Sequence, residues 1–295
     1  ELGQVRYVFT DKTGTLTRNE MRLKHIAVES DIYCDIDASC IVNTTGESLD
    51  RRMFYYMLTV CHTVVVDRQS NSGNEKRKYQ ASSPDEAAIV SAASDRLHWS
   101  FVDRDQTNVY VNTPDGCNLT FTILNVLEFT SDRRRMSVVV EFDGGVWLLT
   151  KGADDVLLER ASFTCEAVIP SLDKFGSEGM RTLCFAYKPI SLSEYQSWND
   201  EYQRAICAVT NRQQSIDACC DKLEQHWRVV GVTAVEDRLQ EQVVDTLRML
   251  REAGMSVWML TGDRPETALN IARSCGLLDG LSVVDLVCDG DVNVG

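Results

Sequence analysis

The stretch with the clearest chemistry is Asp11-Lys12-Thr13-Gly14-Thr15-Leu16-Thr17. It follows the apolar-rich run Val5-Arg6-Tyr7-Val8-Phe9, which reads as a buried strand. A carboxylate at the carboxyl end of a parallel strand stands where open α/β sheets place their reacting groups. Gly14 permits a tight turn, and the flanking hydroxyls and backbone N–H groups suit a phosphate. The chemistry expected of Asp11 is that of a nucleophile taking a phosphoryl group. An Asp that ends a strand also serves as a helix N-cap, and a lone Asp-x-Thr would suit that role. The full seven-residue string favours the nucleophile.

The elements that must position this stretch follow from composition and pattern. At 295 residues the chain has room for two domains, and its 44% apolar and 25% charged content is that of a globular protein. No run of about 18 apolar residues occurs, so no membrane-spanning helix is expected, and the start lacks the pattern of a signal peptide. A net charge of −14 argues against a general nucleic-acid or anionic-membrane surface. Any nucleotide must then be held by local basic residues and Mg²⁺. The eleven Cys show no C-x-x-C spacing and only four His accompany them, so reduced thiols are expected rather than a zinc site or a disulfide framework. Cys61-His62 reads as a core pair.

Along the chain, residues 1–24 read as a strand, the loop and a short exit segment, and 25–50 as irregular. Residues 51–66 read as a helix running into β-branched residues, and 67–79, with Lys76-Arg77-Lys78, as a solvated loop. Ser83 reads as the N-cap of a helix with Pro84 at N1 and Glu86 at N3, a pattern that capping alone explains. Strands are expected at about 121–128, 136–142 and 146–150, with Asp143-Gly144-Gly145 as a hairpin turn, which implies an antiparallel sheet. Helices follow at about 154–161 and 171–178, the second ended by Gly179, and a strand runs from Arg181 to Tyr187. Residues 193–226 read as helical with a break near 210–215. A strand at 228–234, a helix over 239–253, a buried strand at 256–260, the loop Thr261-Gly262-Asp263 and a helix at 264–275 give a parallel β-α-β-loop-α pattern. The economical arrangement is an α/β phosphorylation domain split into 1–24 and 229–295. An α+β domain built on an antiparallel sheet, 25–228, is inserted as a lid.

The order of Asp11–Thr17, Lys151-Gly152-Ala153 and Thr261-Gly262-Asp263 resembles the P-type ATPases across essentially the whole chain. The strings Ala81–Glu86, Phe129–Val138, Gly179–Leu183 and Thr233–Gln240 are similar to those of the phospholipid-transporting, flippase branch. Arg264 stands where Lys is common and Arg18 where Gln is common. The resemblance implies a haloacid-dehalogenase-like, Rossmann-like fold for the phosphorylation domain and nucleotide binding by the insertion. It implies that Phe129 stacks on adenine, that Glu86 bonds the adenine amino group or lines the pocket, and that Lys151 supplies a cation near the nucleotide. Gly152 would let the backbone approach closely, and Arg181 would contact phosphate as a bidentate donor. A core Phe and a surface hairpin Lys are the rival readings for Phe129 and Lys151. Arg133–Arg135 reads mainly as a solvated basic run, one member of which could steer ATP. Thr261 and Gly262 would hold the γ-phosphate with Asp263 nearby. Mg²⁺ would take the Asp11 carboxylate and the Thr13 backbone carbonyl, and Lys12 would offset charge during in-line attack by Asp11.

Thr13 stands where phosphatases of the haloacid dehalogenase superfamily usually carry a second Asp as general acid/base. Thr cannot do that work at neutral pH, so a longer-lived acyl-phosphate is implied. The family places a Gly-Asp-Gly-x-Asn-Asp motif and an upstream Lys beyond Gly276, and neither occurs before Gly295. The expectation is a cut piece that binds ATP and turns it over poorly or not at all. The parent would be a multi-pass membrane protein carrying this region on the cytosolic side. Its partners would be a phospholipid and an accessory β-subunit. A cation-transporting P-type ATPase, a soluble phosphatase and a non-enzymatic nucleotide-binding module are the alternatives.

Overall fold

The structure is a computed structural model describing residues 4–36, 48–67, 78–262 and 265–278. In chain order the elements begin with β1 (Tyr7–Asp11), β2 (Thr17–Val28), β3 (Asp31–Tyr33), α1 (Leu49–Val60), β4 (Val65–Asp67), β5 (Lys78–Gln80) and α2 (Pro84–Asp95). Next come β6 (Ser100–Arg104), β7 (Asn108–Asn112), β8 (Asn118–Leu127), β9 (Arg135–Phe142), β10 (Gly145–Gly152), α3 (Asp154–Glu159) and β11 (Ala161–Thr164). The remainder is α4 (Val168–Ser177), β12 (Arg181–Ile190), α5 (Leu192–Ile206), α6 (Arg212–Leu223), β13 (Trp227–Leu239), α7 (Val243–Glu252), β14 (Ser256–Leu260) and α8 (Pro265–Ser274). The chain divides into two compact units, one of residues 20–237 and one of residues 1–19 with 238–295.

The larger unit is built on one sheet in the order β3-β2-β13-β12-β10-β9-β8-β7-β6, with β11 joined to β13. Its centre is antiparallel: Lys151 of β10 faces Met136 of β9 on one side and Phe185 of β12 on the other. The β9–β10 hairpin closes through Asp143 and Gly144, both at positive φ (51° and 71°). That is the backbone a two-residue loop needs to match strand twist, and it is why Asp-Gly was legible as a turn. Helix α1 is buried at every residue from Met53 to Val60, as a helix in the middle of a core must be. Its N-cap Ser48 accepts from Arg51 N–H at 3.2 Å.

Three expectations fail here. Residues 17–28 are a strand rather than an exit segment and an irregular stretch. From His25 to Val28 every residue is buried, so the polar alternation that reveals a half-exposed strand is missing. The strand at 228–234 does not open a parallel unit. It is part of β13, antiparallel to β12, and continues to Leu239. The next helix therefore starts at Val243, after Gln242 in the left-handed region (φ 63°), and not at 239. The basic cluster Lys76-Arg77 falls outside the described residues.

In the smaller unit β1 and β14 pair in parallel, Tyr7 with Ser256 through Asp11 with Leu260. Leu16, Leu247, Ala272, Cys275 and Leu277 form its apolar cluster. The two strands were expected to be buried, but Tyr7, Phe9, Trp258 and Leu260 are all more than half exposed. Among the described residues no helix is long and apolar enough to cross a membrane.

Candidate functional site

In the larger unit, three charged residues singled out by type or motif, Glu86, Lys151 and Arg181, stand at the N-terminus of α2, together with Asp85. Pro84 at N1 starts this helix, but Ser83 makes no side-chain cap hydrogen bond. Glu86 does not reach back to complete a capping box either. One carboxylate oxygen takes the Lys151 ammonium at 2.5 Å, and the other accepts from Thr63 N–H (2.9 Å) and Thr63 Oγ1–H (2.8 Å). Burial pushes the Glu86 carboxyl up, but the charge and hydrogen bond of Lys151 and the two donors of Thr63 more than offset this, leaving it below its ordinary pKa. Lys151 is the penultimate residue of β10 and is buried, not a surface hairpin lysine.

Arg181 opens β12 directly after the turn that ends α4. Gly179 stands there at φ +83°, and Met180 N–H closes onto Phe175 C=O at 3.0 Å. The Arg181 guanidinium meets Asp85 at 2.9 Å. Burial raises the Asp85 carboxyl, Arg181 partly counters it, and the negative charge of Asp237 raises it further. Asp85 and Thr63 are site residues that the sequence reading passed over. Asp85 looked like first-turn acid dressing of a helix, and Thr63 lies 23 residues from Glu86 with no shared motif.

Beneath this cluster lie Cys61 and His62, a buried pair as expected. Burial, with Lys151 and Arg104 as further positive neighbours, lowers the His62 pKa to about 3. The ring is held by Thr59 C=O at 2.8 Å and by Val64 N–H, which donates to Nδ1 at 3.1 Å. Burial pushes the Cys61 thiol up to about 11. Gly152 serves the protein's own packing. A Cβ there would stand 2.7 Å from Arg135 Cβ and 2.8 Å from both Arg134 C=O and Leu157 Cδ1.

Phe129 lies past the end of β8 with 61% of its surface exposed, so it is not a core residue. The turn that follows overturns the reading of Arg133–Arg135 as a solvated run. Arg133 and Arg135 are buried and converge on Glu224, which is fully buried at the end of α6. Arg133 also donates to Glu128 C=O, next to Phe129, at 2.5 Å, and Arg135 reaches Asp221. Only Arg134 remains at the surface, paired with Asp155.

In the smaller unit, Asp11 is exposed at the end of β1, and its Oδ1 accepts from Lys12 N–H at 2.7 Å. Gly14 sits at φ +78° with no atom near its missing Cβ, so the turn itself demands glycine. Thr13 is exposed and Lys12 is buried. Thr261 is half-buried and Gly262 exposed after β14. Asp263 and Arg264 lie outside the described residues. No three His, Cys, Asp or Glu side chains gather to hold a metal among the described residues. An exposed carboxylate and a backbone carbonyl, from Asp11 and Thr13, are nonetheless donors of the hard oxygen type that Mg²⁺ takes.

Comparison with known proteins follows the same division. Residues 52–242 match the family model described as P-type ATPase, cytoplasmic domain N. The chain is 39% identical to the phospholipid-transporting ATPase DRS2 of Saccharomyces cerevisiae, over 94% of its own length and 22% of that protein's. It is 37% identical to phospholipid-transporting ATPase IC of Homo sapiens, over 94% of this chain and 24% of the relative. A phospholipid-transporting ATPase of Schizosaccharomyces pombe is 36% identical, over 97% and 25%. The chain thus spans about a quarter of the length of the curated relatives it matches.

Proposed function

This chain belongs to the P-type ATPases, in the family of their cytoplasmic domain N, and on that premise we propose that its larger unit binds ATP at the start of α2. The observation that carries the reading is the meeting of Lys151, Glu86, Arg181 and Asp85, four charged side chains drawn from three separate elements. Lys151 and Arg181 supply cations for phosphate, the second with the planar fork that suits bidentate contact. Phe129 offers an exposed ring on which adenine stacks. Glu86 orients Lys151 and lines the pocket.

Asp11, in the smaller unit, takes a γ-phosphoryl group from ATP. Its carboxylate oxygen forms the new bond to phosphorus as the bond to the bridging oxygen breaks and ADP leaves. Asp11 and the Thr13 carbonyl are the residues that would hold Mg²⁺, which would supply charge neutralisation for phosphoryl transfer. Lys12 adds a positive charge to the loop, and Thr261, Gly262 and Asp263 steady the phosphate. Thr13 has no proton to give or take at neutral pH, so the acyl-phosphate persists long enough to drive a conformational cycle. The unit of residues 1–19 and 238–295, in which β1 and β14 pair in parallel, corresponds to a haloacid-dehalogenase-like phosphorylation domain, with residues 20–237 as the inserted domain.

The relatives' names favour phospholipid movement across a membrane as the activity of the whole protein. That protein carries this region on the cytosolic side of its membrane-spanning helices and works with an accessory subunit. Titration of the 295-residue chain with ATP tests the site. Lys151→Ala and Phe129→Ala should each weaken binding by about tenfold, in line with loss of one charge contact or one stacking surface. Unchanged affinity in both would remove the pocket.

A further inference from the structure

Asp85 and Glu86 are neighbours at the start of α2, and each holds a cation, but the two bonds differ in kind. Glu86 is fixed from both sides, by Lys151 on one oxygen and by two donors of Thr63 on the other. The Lys151 side chain is only 8% exposed. Asp85 touches Arg181 through a single oxygen at 2.9 Å, and its Oδ1 is buried with no hydrogen-bond partner. The Arg181 side chain is 49% exposed and uses one terminal nitrogen in this contact. A half-exposed guanidinium held through a single oxygen is easily exchanged, whereas a buried, doubly bonded carboxylate is not.

Resting on the assignment of Arg181 as a phosphate contact, we propose that Asp85 is a positioning residue that occupies the Arg181 guanidinium until a polyphosphate displaces it, while Glu86 remains on Lys151 throughout. A phosphate outcompetes one carboxylate because it carries more charge and matches the guanidinium with two parallel hydrogen bonds. Once displaced, Asp85 is a negative charge beside the incoming phosphates and opposes their binding. The pair therefore acts as a selector. A ligand without phosphate gains nothing from the exchange, and one with several phosphates gains enough to make it. The two adjacent acids then act with opposite sign, since removing the charge of Asp85 favours ATP and removing that of Glu86 loosens Lys151.

The experiment is a calorimetric titration of the 295-residue chain with ATP, ADP and adenosine. Asp85→Asn should tighten ATP and ADP binding by about three- to tenfold and leave adenosine unchanged. Glu86→Gln should weaken ATP binding. The gain from Asp85→Asn should vanish when Arg181→Ala is present, the coupling expected of two residues that act through one contact. Asp85→Ser repeats the test with a different side chain, in case Asn reshapes the helix start. If both Asp85 variants leave ATP affinity unchanged or weaker while Lys151→Ala still weakens it, the exchange is refuted and the site stands. A gain that persists with Arg181→Ala also refutes it, because it would come from a lost charge in general. If Lys151→Ala and Phe129→Ala change nothing, the site assignment fails and takes the proposal with it.

Discussion

The β9–β10 hairpin carries two charge clusters back to back, and they use the same chemistry for different ends. Thr150 and Lys151 are neighbours on β10, so their side chains leave opposite faces of the sheet. Thr150 meets Ser137 at 2.8 Å, and Ser137 donates to Glu224, joining the Arg133–Arg135 cluster under α6. Lys151 turns the other way, to Glu86 on α2. Each cluster sets carboxylates against cations. Under α6 a single carboxylate, fully buried, receives Arg133, Arg135 and Ser137. At α2 the Lys151–Glu86 pair is mostly buried, while Arg181 reaches solvent and its partner Asp85 keeps a carboxylate oxygen without a bond. Under α6 the two guanidinium groups and their shared carboxylate are all buried, and even the unbonded Arg133 Nε is closed off from solvent, so that cluster has little to offer a ligand. Each cluster leaves one buried polar atom unbonded, so the half-exposed guanidinium of Arg181 is what separates the binding site from the structural clasp.

The comparison breaks most easily at Glu224. Glu224→Gln leaves two buried guanidinium groups short of their counter-charge, and the expected loss is about 3–5 kcal/mol of folding stability. Arg181→Ala, on the exposed side of the other cluster, should cost no more than about 1 kcal/mol. Urea unfolding of the two variants checks both values. If Glu224→Gln unfolds at the parent's midpoint, the α6 cluster is not the clasp described. If Arg181→Ala is as damaging as Glu224→Gln, the distinction between the two clusters is lost.

The second test uses pH and the base of the α2 cluster. The folded pKa of His62 is about 3, against an ordinary value of 6.5, because burial and nearby Lys151 and Arg104 disfavour its charged form. Between these two values the unfolded chain binds a proton at this residue and the folded chain does not, so stability rises with pH across that window and falls on acidification. From pH 6.5 to 5 the loss attributable to His62 is on the order of 1–2 kcal/mol. His62→Gln should lose less over this range than the parent when both are unfolded in urea at each pH. An equal loss would mean that His62 is not kept neutral beneath Lys151.

What could be read from the sequence tracks how local the cause is. Asp143-Gly144 announced its hairpin and Gly179 its helix end, because positive φ is a property of one or two residues. The antiparallel sheet followed from the strands around that hairpin. Strand β2 escaped notice because its buried end has no alternation, and the polar Glu236-Asp237-Arg238 fell outside the strand expected at 228–234 although it belongs to β13. Lys151, Glu86, Arg181 and Phe129 were each picked out by type and motif, and the structure puts the first two in contact. Thr63 and Asp85 had no such signal. Glu224 lies 91 residues beyond Arg133, so nothing nearby distinguished two buried arginines from an exposed one.

That last point gives the smallest effect and the finest test. Arg133, Arg134 and Arg135 are indistinguishable as letters, yet only the middle one faces solvent. Arg134 sits at φ 52°, a left-handed position in the turn that sends its side chain away from Glu224 and toward Asp155 at 2.6 Å. With Asp155 itself 60% exposed, the pair is screened and its net contribution is about 0–1 kcal/mol. Arg134→Ala should therefore stay within about 1 kcal/mol of the parent, less than either flanking substitution, and 0.5 M NaCl should erase most of the difference. Replacing Arg134 by Gly instead of Ala relieves the left-handed backbone and should leave the chain at least as stable as the Ala variant. If Arg134→Ala costs as much as Arg133→Ala, the three arginines form one network and the separation between clasp and surface runs elsewhere.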